Sequence, residues 1–428
     1  MAIEIRICEQ VVPSDLPKEA MQNLLREHAS KFKGTTPLCL CTPGQVKMYI
    51  ARVGDTFVLK RWPNSRLQHR ADCPRYEAPV DASGLGKLIG SAITEDPIAG
   101  TVALKLGFSL KKLGRAAPAD ELVVEPGQEV DQKDGAAKAA ANRMTPRSML
   151  HYIWDASHLT IWDPSSLKRR NWPFVQQALK NACANMTTKG LALAGRVYIP
   201  EPWTSDRKDT ISMQRRALMG RIATNKSSRE LMMFLVEVKD LMPSQFGYKI
   251  VAKQVPDAPL YMSEAHWALI NKRYETEIDM FMAEREKRHM VAFGTLSVKT
   301  SGSLHVEDIV LMMTNQYWIP VADHIDELLV DHSISAGRHF IKPLRYNLGP
   351  GRCVANVIYR DTPHKATSLY VTRTDDSDAL QAGRDELIAS GETNTLLLDI
   401  MDSLSFTDQI DKLPKDRNTS TSAYAELV

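Results

Sequence analysis

The sequence predicts an α+β chain of several units: an amino-terminal β-hairpin module, a central helical region, a β-rich region with one long helix, and a carboxyl-terminal α/β unit. Three observations predict it. The 428 residues, 43% hydrophobic and 25% charged, suffice for about two to four compact domains with real cores. Apolar spacing is helical from about Pro146 to Ala223 and turns strand-like at Glu230. The cysteines cluster at one place only, residues 39–73, beside a histidine.

The elements follow in order. Ser14 or Asp15 can cap a helix through about Lys31, with Met21, Leu24 and Leu25 on one face. Gln45–Val53 and Thr56–Trp62 read as strands joined at Gly54-Asp55, a strong hairpin signal. Val102, Leu104, Leu106 and Phe108 alternate, so Thr101–Leu110 reads as a strand that completes a unit over 1–114. Residues 115–147 are rich in Ala, Asp, Gly, Glu and Lys and read as a linker. Thr145-Pro146 then opens a helix, and a second spans about Trp172–Met186 and a third Thr210–Ala223, within a helical region over 148–225. The β-rich region, 226–322, holds strands at Leu231–Lys239, Tyr248–Gln254 and Met290–Lys299 and a long helix from Ser263 to about Lys287. The last unit, 323–410, reads helix, three strands (Phe340–Arg345, Cys353–Tyr359, Ser368–Thr372), helix and strand, before a tail over 411–428.

Composition bounds the function. A net charge of +3 and a pI near 8.4 do not announce a nucleic-acid binder, so such a reading must rest on where the charge sits. The first residues lack a basic start followed by an apolar run, and no stretch approaches the ~18 consecutive apolar residues of a membrane helix. The expected setting is the cytoplasm, where cysteines bind metal or are buried rather than paired.

Cys39-x-Cys41, then 27 residues, then His69-x-x-x-Cys73 supplies four nitrogen and sulfur ligands in two close pairs, as a closed tetrahedral Zn²⁺ site requires. Residues i and i+2 of an extended segment face the same way, and residues four apart share one face of a helical turn. The hairpin between the pairs folds the second back onto the first. Four protein ligands leave no open position, so the zinc would be structural. The alternative is ordinary buried cysteines beside a surface histidine.

Residues 31–80 carry nine basic residues against three acidic ones, a local +6. Lys47, Arg52, Lys60, Arg61, Arg66 and Arg70, with Lys168, Arg169 and Arg170 further on, are candidate phosphate contacts for DNA or RNA. Tyr49, Phe57, Trp62 and Tyr76 are interleaved and could stack on bases. The bland reading is a solvated hairpin face over core aromatics. Zinc modules also bind proteins.

Catalytic candidates are weak. Glu237-Val238-Lys239, with Asp209 upstream, has the Glu-x-Lys pattern of a divalent-metal site, with Glu237 and Lys239 on one strand face. Such a triplet arises by chance about once or twice in a chain of this length. No glycine-rich phosphate loop is present, and no Ser/His/Asp arrangement can be singled out among the 11 histidines.

Two resemblances add to this. The order helix, three strands, helix, strand over 323–401 resembles the restriction-endonuclease-like core, which implies an Asp on the second strand and Glu-x-Lys on the third. Here Asn356 stands where the acid would be, and Leu369-Tyr370-Val371-Thr372 lacks the Glu and Lys, so this copy would be inactive; Glu327 on the preceding helix is a further candidate ligand. More broadly, CLCTPGQVKMYIARV, KRWPNS, His69 with CPRYE, HYIWDASHLTIW, Arg170-Asn171-Trp172, YIPEPW, EVKDLMPSQFGYK, YWIPV and FIKPLRY, spread over residues 38–372, resemble an uncharacterised bacterial family often carried on plasmids and integrative conjugative elements. That resemblance implies a mobile-element accessory protein and no established activity. Three readings stand: a zinc-stabilised nucleic-acid-associated protein, a divalent-metal nuclease, and a protein-interaction scaffold.

Overall fold

In the computed structural model the described residues are 3–32, 34–53, 55–112, 142–165, 170–223, 229–245, 247–349, 351–400 and 406–416. Most of the expected linker, the expected tail beyond 416, and Lys168 and Arg169 lie outside them.

Five short antiparallel strands open the chain: β1 Glu4–Ile7, β2 Gln10–Pro13, β3 Leu38–Cys39, β4 Val46–Val53 and β5 Thr56–Arg61, ordered β2-β1-β3-β4-β5. Between β2 and β3 runs α1, Lys18–Lys31, which buries Leu24 and Leu25. It starts after Pro17 with no side-chain cap, not at Ser14 or Asp15. The fixed proline φ sets its entry.

The next elements are β6 Ile93–Asp96, β7 Thr101–Leu104, β8 Lys111–Lys112, α2 Pro146–Ala156, β9 Ile161–Trp162, α3 Trp172–Cys183, β10 Met186–Thr188, β11 Leu191–Ala192, β12 Val197–Tyr198 and α4 Lys208–Ala223. The Thr145 side chain accepts from the Ser148 amide with Pro146 in the first turn, and Asn171 does the same for Phe174 at α3. A four-stranded sheet, β11-β10-β7-β6, draws strands from both sides of residues 113–141.

Beyond β13 Arg229–Glu230 come β14 Met232–Ser244, β15 Gly247–Ala252, β16 Val255–Met262, α5 Glu264–Arg273, α6 Glu275–Ala283, β17 Arg288–Val298 and β18 Leu304–Asn315. Pairing runs β14-β15-β16-β18-β17 and returns to β14, so the strands close into a ring, with β12 alongside β14. Gly294 lets β17 and β18 approach, since a Cβ there would lie 1.9 Å from the Asp308 carbonyl oxygen. The single long helix expected here is two. Tyr274, buried with φ −118° and ψ 28°, closes α5 and turns the chain inward before α6.

The chain ends in α7 His324–Ser335, β19 Phe340–Ile341, β20 Val357–Tyr359, β21 Thr367–Thr372, α8 Asp378–Ala389, β22 Asn394–Asp399 and α9 Phe406–Lys412. The sheet order is β22-β21-β20-β19-β9, antiparallel through β19, β20 and β21, with β22 parallel to β21 across α8. The first two strands are shorter than expected because residues 342–349 and 351–356 lie outside the sheet and bind other elements: Lys342 N–H donates to the Thr160 carbonyl and Tyr346 N–H to His151. One apolar core joins Ile5, Ile7, Leu25, Met48 and Leu59 to Ile341, Ile358 and Tyr370, so the amino-terminal sheet and the last sheet are packed together. Among the described residues no helix is long and apolar enough to cross a membrane.

Candidate metal centre

β3 carries Cys39 in register with Ile5 and Val46, and Cys41 follows where the chain turns through Pro43 and Gly44. The β4–β5 hairpin returns the chain to a short 3₁₀ turn, Arg66–Gln68, that delivers His69. His69 is extended, at φ −79° and ψ 148°, so His69 and Cys73 meet across an irregular turn closed by the Cys73 amide on the Arg70 carbonyl, not on a helix face.

Cys39 Sγ lies 3.7 Å from Cys73 Sγ, and His69 Nδ1 lies 3.4 Å from Cys41 Sγ and 3.6 Å from Cys73 Sγ. A tetrahedral zinc with ordinary bond lengths separates its sulfurs by about 3.8 Å and sulfur from nitrogen by about 3.5 Å. The four ligand atoms all lie within 4.8 Å of one another and all four residues are buried, including the histidine, which is 3% exposed. Among the described residues they form the one such group of three or more His, Cys, Asp or Glu.

The protons of three adjacent thiols divide unevenly. Hydrogen bonds from Cys41 and Cys73 hold the Cys39 thiol far below its ordinary range. The same contact with Cys39 pushes Cys41 up to about 11, and burial raises Cys73. His69 Nε2 is buried without a partner, so Nδ1 is the atom aimed at the sulfurs. Soft donors at these separations fit a thiophilic dication, which would let all three sulfurs ionise together.

Arg360, missed in the sequence, holds this turn from the far end of the chain. It is 1% exposed, donates Nε to the Ala71 carbonyl at 2.8 Å and Nη2 to the Cys73 carbonyl, and lies 5.5 Å over the Tyr76 ring. No local signal marks it, since its partners are 287 and 289 residues away.

The basic residues take different places. Lys47 is exposed, Arg52 is exposed near Asp55 at 3.8 Å, and Arg70 is bound by both Asp72 oxygens at 2.5 and 2.8 Å. Lys60 is half-buried, and burial lowers its ammonium pKa. Arg61 pairs with Glu77 at 2.7 Å and Glu95 at 3.3 Å, and Arg66 with Glu77 at 3.8 Å. Burial alone would raise Glu77, but Arg61 and Arg66 prevail and hold its carboxyl down at about 2. Arg170 donates to the carbonyls of Leu159, Ile161 and Tyr317 and lies over Trp162. Arg61, Arg66 and Arg170 are therefore internal fasteners rather than a solvent-facing charge. Tyr49 and Tyr76 are buried, while Trp62, 38% exposed, packs edge-on to Tyr49.

The catalytic candidates do not converge. Asp209 is exposed in the first turn of α4, and Lys239 is exposed at a register shift between Val238 and Asp240. Glu237 is buried in β14, its oxygens taken by His289 Nδ1 at 2.6 Å, Lys253 Nζ at 2.7 Å and Gln254 Nε2 at 3.0 Å. Glu327 is held by both arms of Arg288, at 2.7 and 2.8 Å. The Asn356 side chain accepts from the Val371 amide at 3.0 Å and faces Asp326, which also accepts from the Ala322 amide at 3.0 Å and pairs with Lys342 at 3.1 Å. Asp326 and Lys342 are buried and were not singled out in the sequence; a paired Asp and Lys 16 residues apart carries no motif.

Fold and site define a mixed α+β protein with a buried Cys₃His cluster. Residues 6–397 match a family model described as a protein of unknown function, DUF1173, and the chain belongs to that family. No curated protein and no solved structure matches it.

Proposed function

We propose that this is a zinc-stapled, nucleic-acid-associated accessory protein of a mobile element, without nuclease chemistry of its own. The observation that carries the zinc is the set of sulfur and nitrogen separations, 3.4 to 3.7 Å, among four buried soft ligands. Cys39, Cys41, His69 and Cys73 would hold the ion, and with all four positions filled its chemistry is to fasten the turn.

The nucleic-acid half of the reading is supported by the carboxyl-terminal order of α7, three antiparallel strands, α8 and a parallel strand, which is that of an endonuclease-like core. Asn356, capped onto the Val371 amide, stands in place of the expected acid, and Tyr370 is buried. Glu237 has no oxygen free for a metal. These observations favour binding over cleavage.

The test is elemental analysis of the purified protein together with its absorbance at 260 nm. One zinc per chain and a nucleic-acid excess that high salt removes is the expected result. A protein without metal whose residues 38–76 stay protected from hydrogen exchange in chelator would end the zinc reading, and Mg²⁺-dependent cleavage lost in Glu237→Gln would replace the binding reading by a nuclease.

A further inference from the structure

The strands that open the chain set one row of side chains next to each other on the sheet face opposite α1. Arg6 stands opposite Val11 on β2 and Leu38 on β3, and Leu38 stands opposite Lys47 on β4. The Trp62 amide donates to the Lys47 carbonyl at 3.2 Å and carries the row one residue past the end of β5. Residues directly opposite in an antiparallel ladder share a face, and neighbouring strands lie about 4.8 Å apart. Val11, Arg6, Leu38, Lys47 and Trp62 therefore form one continuous surface. The alternate residues Ile5 and Cys39 point the other way, into the core that holds Leu24 and Leu25 of α1. None of the five is buried: Val11 is 48% exposed and Trp62 38%, Lys47 is exposed, and Arg6 and Leu38 are half-buried.

The surface has a definite edge. Further along β4 on the same face, Tyr49 and Ala51 are buried. The turn between β6 and β7 closes over them, where Gly100 comes so near that a Cβ there would lie 2.9 Å from the Ala51 methyl. In the other direction the face opens into a hollow of about 350 Å³ lined by Arg6, Leu40, Cys41, Thr42, Pro43 and Gln45. Arg6 Nη1 donates to Gln45 Oε1 at 3.1 Å, which holds the guanidinium at the rim. Among the described residues neither Arg6 nor Lys47 makes an ion pair, and the acids nearest along β1 and its turn, Glu4 and Glu9, pair with neither. Glu77 and Glu95 are already held by Arg61. The ring contact of Trp62 is Tyr49, met edge-on with centroids 6.3 Å apart, so no ring lies flat on the indole.

We propose that this row is a contact surface for single-stranded polynucleotide, with a base laid on Trp62 and backbone phosphates taken by Arg6 and Lys47. Two cations without acids, on a face that also exposes an indole and aliphatic side chains, complement a chain that carries a phosphate and a planar base at every unit. A duplex keeps its bases paired and stacked, so an opened strand is the form that can use the indole. The proposal rests on the nucleic-acid half of the reading above and moves the contact. Arg61 and Arg66 are paired with Glu77, and Arg170 is spent on backbone carbonyls, whereas Arg6 and Lys47 hold no acid.

The experiment uses the full chain with a labelled oligothymidylate of about 12 nucleotides, its duplex with oligoadenylate, and polyglutamate. The single strand binds more tightly than the duplex. Arg6→Gln/Lys47→Gln keeps the wild-type melting midpoint and makes the slope of log affinity against log salt smaller by about 1.4, about 0.7 for each lost phosphate contact. Trp62→Leu weakens binding roughly tenfold without changing the slope, and Trp62→Phe, which keeps a ring, recovers most of the affinity. A wild type that binds neither form of DNA ends the nucleic-acid reading and this surface together. A wild type that binds, with the double variant and Trp62→Leu binding equally well, overturns this surface and leaves that reading standing. A duplex bound as tightly as the single strand, with Trp62→Leu unaffected, overturns the single strand as ligand. Polyglutamate bound through Arg6 and Lys47 while DNA is ignored assigns the face to an acidic protein segment and overturns the polynucleotide.

Discussion

Two polar quartets in this molecule, one built on the buried Glu237 and one on three buried cysteines, look alike in size and differ in what they lack. Glu237, His289, Lys253 and Gln254 close on themselves: one carboxylate receives an imidazole, an ammonium and an amide, while Gln254 accepts the Glu237 backbone amide at 3.2 Å. His289 is further held by stacking on Trp318 at 3.9 Å. Cys39, Cys41, His69 and Cys73 do not close. Three thiols face one another with a single imidazole nitrogen among them. The difference teaches that burial and convergence do not by themselves mark a ligand site; unmatched donor chemistry does. The carboxylate quartet is satisfied by protein partners, and the thiol quartet is a cluster that could hold a metal ion.

The largest effect that separates the two comes from Cys73→Ser. It should abolish stoichiometric zinc and strip hydrogen-exchange protection from residues 38–76 while the β14–β18 ring stays protected, because zinc supplies about 10 kcal/mol or more to modules of this kind. Glu237→Ala should leave zinc content unchanged and lower stability in urea by about 1–3 kcal/mol, since it leaves the buried Gln254 amide and the half-buried His289 imidazole without their acceptor. A Glu237→Ala protein whose loss of stability is matched by withholding Mg²⁺ from wild type would turn the second quartet into a metal site.

Arg360→Met sharpens the comparison from the other side. It removes the donors to the Ala71 and Cys73 carbonyls but no ligand, so zinc should still bind stoichiometrically and escape to a chelator faster, with a stability loss of about 2–3 kcal/mol. The smallest effect is in pH. Burial, aided by Arg147, Lys342 and Arg345, holds His151 well below its ordinary value, and its neutral Nδ1 accepts the Tyr346 amide. Its contribution is whole above about pH 6.5 and is lost as the pH falls below that, because the unfolded chain then binds a proton that the folded one resists. His151→Asn, which keeps an acceptor, should flatten the fall in melting midpoint over that range.

Much of this was legible. The hairpin at β4 and β5 followed from alternation around Gly54-Asp55, the α2 cap from Thr145-Pro146, and the gathering of Cys39, Cys41, His69 and Cys73 from their types and spacing. The one-face placement of Glu237 and Lys239 assumed an unbroken strand, whereas a register shift at Val238–Asp240 leaves Glu237 buried and Lys239 exposed. The basic face misled in the same way: charge counted along the chain does not reveal that Glu77 and Glu95 turn Arg61 inward.

The sequence by itself determined which atoms could bind zinc and where helices and strands alternate, because both depend on residue type and on spacings of a few residues. Tertiary structure alone decided that β14 to β18 close into a ring, that Arg360 clasps a turn 287 residues away, and that Arg61 and Arg66 are spent on an internal acid. Those outcomes turn on pairings between distant segments, where the local chain carries no preference and only the packed whole selects the partner.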